Sequence, residues 1–264
     1  MIKYSNKNTI FIGSILEWEK DFFFHLLSNF SNKKIYVFSS NKKKFINAKI
    51  EILLFKPDII FHFSDEIGNI PQFNELSKLT KLYLRQYSFA HYPLYDNIHI
   101  LPLGYQTGMF DTLPININIP NINERKYKWA FIGDFLKNNE RKSMVKTISS
   151  IKPFKLGKAN PTEMKNIYMN SIFIPSTRGW VNLDCFRLYE ATVCGSIPIL
   201  VGPKNECDYL IKSQNNPPWL SFNNWKDAKF YMENYNQKKI QELQILNLKW
   251  WNSKMKFLID IMSK

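Results

Sequence analysis

Two arginines, a glutamate and an asparagine lie between two apolar runs in the second half of the chain. Residues 171–202 read SIFIPSTRGWVNLDCFRLYEATVCGSIPILVG, with Arg178 before Gly179 and Arg187 three positions before Glu190. Residues three apart share one face of a helix. A guanidinium there can bind phosphate oxygens through charge-assisted hydrogen bonds, and a carboxylate can accept hydrogen bonds from ribose hydroxyls. These residue types at this spacing predict a nucleotide site.

The segment after the apolar run 171–176 has the features of a phosphate-binding loop. Gly179 lets the backbone approach a ligand closely. Asn182 is a candidate N-cap for a helix that begins one or two residues later. The free N–H groups and the positive dipole end of such a helix favour a phosphate. Taken alone, the arginine–glutamate pair on the helix could equally be an exposed ion pair worth a few tenths of a kcal/mol.

A second glycine-containing loop follows another apolar run. WAFIGDFLKNNERKS predicts a strand, a turn at Gly133 and a helix, with Lys137 and Arg141 in reach of a phosphate held at the turn. A single glycine after a strand is a weak signal. The chain has neither the G-x-x-x-x-G-K-[ST] nor the G-x-G-x-x-G pattern of the better-defined phosphate loops.

Short apolar runs and amphipathic segments alternate along the chain, and these elements must position the two loops. Continuous apolar runs are typical of parallel strands covered on both faces. We therefore predict an α/β fold with two Rossmann-like domains facing a cleft and a C-terminal helix. The Pro- and Asn-rich stretch 105–126 predicts a linker, which divides the domains as 1–120 and 121–264. Strands are predicted at 9–15, 33–40, 57–64, 81–87, 97–104, 126–134, 171–176 and 196–202, and helices at 17–30, 139–151, 160–171 and 184–195.

Composition limits the classes of partner and location. The 264 residues carry a net charge of +14, which favours anionic partners, although a Lys-, Asn- and Ile-rich chain also carries such charge as solvated surface lysine. Three cysteines match no zinc-ligand spacing. No apolar run reaches the roughly 20 residues of a membrane helix, and the first residues lack a signal-peptide cleavage site. We expect no transmembrane segment and a cytoplasmic location.

The 171–202 block resembles the signature of the exostosin-type glycosyltransferases, carbohydrate-active enzyme family 47. That signature is an apolar strand, Arg-Gly, a small polar residue, and then FRLYEAL-x-x-G-x-IPV. The likeness continues in the right order over about residues 56–260, in the segments PDIIFHFSDE, KLYLRQYSF, NIHILPLGYQTGMF, RKYKWAFIGDF and NLKWWNSKMK. Asn182 replaces the small hydroxyl residue common in the family, and an amide can still donate to a phosphate.

The resemblance implies a GT-B fold whose C-terminal domain binds a nucleotide sugar, usually a UDP-sugar. It implies inverting transfer to a glycan or glycoconjugate hydroxyl, with no cofactor beyond the donor substrate and no metal. Consistent with this, the chain has no Asp-x-Asp pair. Arg187 would also neutralise the departing diphosphate, which is a catalytic role. By position, the implied nucleotide-binding residues are Gly133, Arg141, Arg178, Gly179, Asn182, Arg187 and Glu190.

Inverting transfer needs a general base that takes the proton of the acceptor hydroxyl. The segment HFSDE closes an apolar run of the N-terminal half, and Asp65 or Glu66 is our predicted base, with His62 as a third candidate. Arg85 and Tyr87 would line the acceptor side. The alternatives are that His62 is a satisfied core histidine and that Asp65 is a helix N-cap.

Two other functions are compatible with the sequence. One is a GT-B-like module that binds a nucleotide or sugar without turnover. The other is a basic nucleic-acid-binding protein, which would need a basic face with stacking aromatic side chains. The aromatic residues here fall mostly in apolar runs, where they belong to a core by default. We therefore expect a nucleotide-sugar donor and a carbohydrate acceptor as partners, and no nucleic acid.

Overall fold

The computed structural model describes residues 4–6, 9–13, 15–28, 32–39, 42–68, 73–90 and 95–264. The chain divides into two units, the first made of Met1–Leu103 with Phe257–Lys264 and the second of Gly104–Lys256. The division lies before Gly104, whereas the sequence analysis placed it after residue 120. The predicted linker 105–126 is irregular, yet it packs on the second unit: Tyr105 and Ile122 are buried, and the Trp251 indole donates to the Pro114 carbonyl at 2.8 Å.

The first unit is a six-stranded sheet in the order β1-β2-β3-β4-β5-β6. Strands β2 to β6 are parallel, and β1 is antiparallel to β2. The buried strands β3, β4 and β5 confirm the prediction from continuous apolar runs. The strands are β1 Tyr4–Asn6, β2 Thr9–Gly13, β3 Lys34–Ser39, β4 Ile59–Phe63, β5 Leu82–Arg85 and β6 Ile98–Ile100, and the helices are α1 Lys20–Leu27, α2 Lys42–Phe55 and α3 Phe73–Ser77.

Packing on both faces holds this sheet. On one face Ile52 of α2 packs against a cluster that includes Phe38, Ile60 and Tyr83. Phe23 of α1 makes an edge-on contact with Phe61, with ring centroids 5.1 Å apart. Because α2 and α1 supply apolar side chains to the sheet, strands β3, β4 and β5 are buried along almost their whole length.

The second unit is a five-stranded parallel sheet in the order β11-β10-β9-β7-β8. The strands are β7 Tyr127–Ile132, β8 Phe154–Gly157, β9 Ser171–Ser176, β10 Ile197–Val201 and β11 Leu220–Phe222. After β7 the chain adds β8 on one side of that strand and then β9 on the other. The strand order therefore reverses between β7 and β9. In open α/β sheets a ligand crevice forms at the carboxyl ends of strands at such a reversal.

The helices of the second unit are α4 Asn139–Ile148, α5 Pro161–Met169, α6 Phe186–Val193, α7 Lys204–Ser213, α8 Trp225–Asn234 and α9 Gln237–Ser263. Asparagine side chains cap the N-termini of α4, α5 and α8. Gly195 ends α6 at a φ of +67°, and a Cβ there would lie 2.1 Å from Ile119 Cδ1. Only glycine fits this turn, which sends the chain directly from α6 into β10.

The structure confirms a mixed α/β fold with two sheets of parallel strands and a C-terminal helix. Strands β1, β8 and β11 were not predicted, because each has only three or four residues and is not part of a longer apolar run, whereas the run that contains the equally short edge strand β6 continues to residue 104. Among the described residues, no helix has the length and apolar character needed to cross a membrane.

Candidate functional site

The loops after β7 and β9 are fastened to each other at the carboxyl edge of the second sheet. The Arg141 guanidinium donates to the carbonyl of Asp134 at 2.9 Å and to that of Arg178 at 3.3 Å. In return, the Arg178 backbone N–H donates to the Glu140 carboxylate at 3.3 Å. These bonds bring together two loops that are about 40 residues apart in the chain, at the reversal of strand order.

Two guanidinium groups converge on the ring of Phe131, the penultimate residue of β7. The Arg187 guanidinium carbon lies 4.7 Å from the ring centroid and that of Arg141 lies 5.7 Å from it. Neither group forms an ion pair with a carboxylate of the described residues. The pKa of Arg141 is lowered, first by burial and then by the positive charge of Arg187. An anion between the two arginines would offset this repulsion.

The hydrogen-bonding capacity of both arginines is only partly used. Arg187 Nη2 donates to the Thr177 carbonyl at 3.2 Å. The Nε atoms of Arg141 and Arg187 are buried and have no hydrogen-bond partner among the described residues. Buried donors are normally satisfied, so these two atoms are donors that the described residues leave unused.

Gly133 brings backbone close to Arg187, one of these two arginines. Its φ of +142° is a conformation that other residues rarely adopt, and a Cβ there would lie 3.9 Å from Arg187 Nη1. Its N–H donates to the Gly157 carbonyl at 2.8 Å, which holds the turn at the end of β7. The sequence prediction that a glycine turn follows this strand is confirmed. Lys137, the other cation predicted there, is exposed in the same loop.

Glu190 lies on the same helix face as Arg187 but is fully buried. Its Oε1 accepts a hydrogen bond from the Gln106 backbone N–H at 3.3 Å. Its Oε2 is buried with no partner among the described residues. Burial raises the Glu190 pKa to about 7, and the Arg187 charge and the Gln106 bond lower it by less. Because Glu190 is buried, the alternative of an exposed helix ion pair is wrong.

Glu190→Gln is expected to raise the free energy of unfolding of the unliganded protein more at pH 8 than at pH 5. The folded pKa of about 7 lies above the unfolded value of 4.5. The stabilising contribution of Glu190 is therefore complete below pH 4.5 and is lost as the pH rises through 7. The glutamine amide does not ionise, so the variant avoids this loss. Its free energy of unfolding at pH 8 should exceed that of wild type by a few kcal/mol at most. Urea denaturation at both pH values measures it.

The matched control is Glu163→Gln on α5, because Glu163 is exposed. It should change the free energy of unfolding by less than about 0.5 kcal/mol and equally at both pH values. An equal gain at pH 5 and pH 8 for Glu190→Gln would contradict the assignment of a buried, ionising carboxyl group.

The rest of the β9 loop differs from the prediction in one respect. Helix α6 begins at Phe186 with Cys185 at the N-cap position and no side-chain cap, so the prediction of Asn182 as N-cap is wrong. Asn182 Oδ1 instead accepts from the Asp184 N–H at 2.9 Å. An asparagine that bonds to backbone two residues on makes a turn that competes with helix initiation. This turn delays the helix by two to three residues.

Arg178 and Gly179 shape the same loop. Gly179 N–H donates to the Asn182 carbonyl at 3.0 Å. The Arg178 guanidinium donates to the Val181 carbonyl at 3.2 Å and to Glu206 Oε2 at 2.7 Å. Arg178 therefore already has a carboxylate partner, in contrast to Arg141 and Arg187.

Of the residues predicted as general base, Asp65 and Glu66 follow β4 in the first unit and His62 lies within that strand. His62 is fully buried, with Nδ1 3.0 Å from the Tyr83 hydroxyl and its ring stacked on Phe38, so the alternative of a core histidine is confirmed. Asp65 is also buried, and Arg85 Nη2 donates to its Oδ2 at 3.1 Å. No helix begins at Asp65, so the N-cap alternative is wrong. Glu66 is partly buried in the turn that follows.

The sequence analysis did not single out two other polar side chains at this edge of the first sheet, those of Glu19 and Ser64. Glu19, which immediately precedes α1, is buried and accepts a hydrogen bond from the Ser64 hydroxyl at 2.6 Å. Tyr87 and Ser64 both have a φ of +58°. In the sequence, Glu19 belongs to EWEK, which is typical of an exposed helix start. No sequence pattern indicated that its side chain is buried. A serine as the last residue of the predicted strand 57–64 was the one available signal.

The described residues contain no group of three or more His, Cys, Asp or Glu side chains that could hold a metal ion. Comparisons with models of known protein families and with curated protein sequences gave no match. What the fold and the site define is a mixed α/β protein in which Arg141 and Arg187 lie over Phe131 at the strand reversal of the second sheet.

Proposed function

We propose that the protein is an inverting glycosyltransferase of GT-B fold that moves a sugar from a UDP-sugar to a carbohydrate or glycoconjugate hydroxyl. The observation that carries the proposal is the pair of guanidinium groups of Arg141 and Arg187. They converge on Phe131 at the strand reversal and lack a carboxylate partner among the described residues. A diphosphate has the charge and the acceptor atoms that such a pair requires.

In this proposal the diphosphate lies between Arg141 and Arg187, with the backbone of Gly133 beside it. The Nε donors of the two arginines are buried and have no partner among the described residues, and in this proposal they bind its oxygens once the side chains turn toward the ligand. As the bond from the sugar C1 to the diphosphate breaks, negative charge develops on the leaving oxygen. Arg187 stabilises this charge, which is the role that a metal ion fills in other transferases.

The ribose of the donor is assigned to Glu190. Within the part of the chain that the structure describes, its Oε2 has no hydrogen-bond donor, and a ribose hydroxyl can supply one. Because Glu190 is fully buried and bonded to the Gln106 N–H, binding of the ribose requires the turn at Gln106 to move aside. Arg178, Gly179 and Asn182 hold the β9 loop in shape around the nucleotide.

The proposal predicts that UDP stabilises the protein against thermal unfolding, and that EDTA does not remove the effect. A ligand that binds only the folded state at 100 times its Kd contributes about 2.7 kcal/mol. For a unit of about 150 residues this corresponds to a rise in Tm of roughly 5 °C or more. Scanning calorimetry with UDP, uridine, inorganic pyrophosphate and UDP-sugars measures the shift.

The result separates the proposed function from its alternative. A shift with UDP that requires both the uridine and the diphosphate, together with release of UDP from a UDP-sugar, supports the transferase. A shift with UDP but no UDP release from any donor would favour a binding module without turnover. The absence of a shift with every nucleotide would overturn the proposal.

A further inference from the structure

We propose that a cavity between α4 and α8 of the second unit binds a neutral carbohydrate, at a site separate from the pair Arg141 and Arg187. The cavity lies at the carboxyl ends of β10 and β11, and all the residues that line it belong to the second unit. In open α/β sheets, ligands bind at this end of the strands. The inference does not depend on the proposed sugar transfer, because neither of the two arginines lines this cavity.

The cavity has the size and the mixed wall of a small-molecule site. Its volume is about 710 Å³, within the roughly 300–1,000 Å³ that is usual for ligand pockets. The buried residues Val201 and Trp225 form apolar parts of the wall. Polar side chains of α4, of α8 and of the turn after β11 form most of the rest. This wall matches a ligand that has both apolar and polar surface.

The indole N–H of Trp225 is an unused donor on this wall. Trp225 is 7% exposed, and its N–H has no acceptor among the described residues. By contrast, the indole N–H groups of Trp129, Trp219 and Trp251 donate to neighbours at 2.9, 2.9 and 2.8 Å. A buried indole N–H normally has a partner. A ligand hydroxyl in the cavity can supply the acceptor that Trp225 lacks.

Hydroxyl and amide groups with unused capacity surround the same space. The side chains of Ser143 on α4 and of Asn223 after β11 are exposed and make no hydrogen bond to the described residues. The Thr147 hydroxyl donates to the Ser143 carbonyl at 2.8 Å, so its oxygen can still accept. Hydroxyl and amide groups both donate and accept hydrogen bonds. The hydroxyls of a sugar need partners of both kinds.

The charged side chains that line the cavity balance one another. Glu140 and Asp227 are negative, and Arg178 and Lys226 are positive. Arg178 is also bonded to Glu206 Oε2 at 2.7 Å. An anion here would meet two carboxylates without an excess of positive charge to offset them. A neutral ligand is therefore favoured, in contrast to the pair of arginines over the Phe131 ring.

The N-terminus of α8 does not reverse this preference. Asn224 Oδ1 accepts from the Lys226 N–H at 2.9 Å and from the Asp227 N–H at 3.0 Å. These N–H groups are the ones that attract an anion when they are unpaired. Because Asn224 caps them, a phosphate gains little at this end of the helix.

Asn223→Ala is the first test, because it removes an exposed amide that lines the cavity and should leave Tm unchanged. Saturation-transfer NMR titrations with methyl glucoside, methyl galactoside, cellobiose and lactose should show saturable binding to wild type. Asn223→Ala should raise the Kd by about tenfold. The matched control is Asn205→Ala, which removes an exposed amide of α7 outside the cavity and should leave the Kd within about twofold of wild type.

Trp225→Phe gives the second readout. It keeps an aromatic ring and removes the N–H, so it should also raise the Kd by about tenfold, while Tm reports any loss of packing separately. Raising NaCl from about 0.05 to about 0.5 M should leave the Kd of wild type within about twofold, because the ligand carries no charge.

Three results would overturn the inference. They are the absence of saturable binding with every sugar, wild-type affinity in either Asn223→Ala or Trp225→Phe, and displacement of the bound sugar by inorganic pyrophosphate, which would identify an anion site. The UDP titration keeps the two proposals apart. Sugar binding without UDP binding would support this cavity and overturn the proposed transferase, whereas UDP binding without sugar binding would support the donor site and overturn the carbohydrate site.

Discussion

Arg187→Ala is expected to weaken UDP binding by roughly 100- to 10,000-fold while the protein stays folded. Hydrogen bonds to charged groups are worth about 1.5–3 kcal/mol each, and loss of two of them corresponds to this range of Kd. Arg187 is only partly buried and makes one bond to the Thr177 main chain. Its removal also relieves the repulsion with Arg141, so little stability should be lost. Calorimetric titration with UDP in EDTA measures the change.

Two further variants sharpen this test. Arg187→Lys keeps the charge but not the fork of donors, so its Kd should lie between those of wild type and Arg187→Ala. Lys142→Ala removes an exposed cation of α4, next in sequence to Arg141, and should leave the Kd within about twofold of wild type if site geometry rather than net charge matters. UDP binding by Arg187→Ala at wild-type strength would refute the assignment of the diphosphate.

Arg125→Met should cost at least about 3 kcal/mol of the free energy of unfolding. Arg125 is buried, and burial lowers its pKa only to about 10, so it stays charged at neutral pH. Its guanidinium donates to the carbonyls of Pro120, Tyr168, Ser171 and Cys194 and to Ser196 Oγ. Each carbonyl left buried without a donor costs about 1–3 kcal/mol. The total free energy of unfolding of a typical domain is only about 5–15 kcal/mol.

The physical role of Arg125 is to satisfy carbonyls at the ends of α5 and α6, where helices leave their last acceptors unpaired. Arg125→Lys should recover part of the loss, because one ammonium reaches fewer of these acceptors than a guanidinium does. The control is Lys126→Met, the exposed neighbour, which should change the free energy of unfolding by less than about 0.5 kcal/mol. Urea denaturation of Arg125→Met that coincides with wild type would contradict this role.

The sequence alone determined the class of fold and most of its elements. Strand β9 was predicted at 171–176 and lies at Ser171–Ser176. The reason is that a strand covered on both faces must be apolar at every position, and this local property is readable without any contact. The glycine turn after β7 and the face shared by Arg187 and Glu190 were readable for the same reason, since backbone conformation and helical period are local.

Only the tertiary structure decided which polar groups are free and which are paired. Arg178 and Arg187 look alike in the sequence, yet Arg178 meets Glu206 while Arg187 lies over Phe131 beside Arg141. Glu19 and Ser64 are 45 residues apart, and the crossovers between parallel strands bring them together. Burial and partners of a charged side chain depend on such long-range packing, which local sequence patterns do not encode.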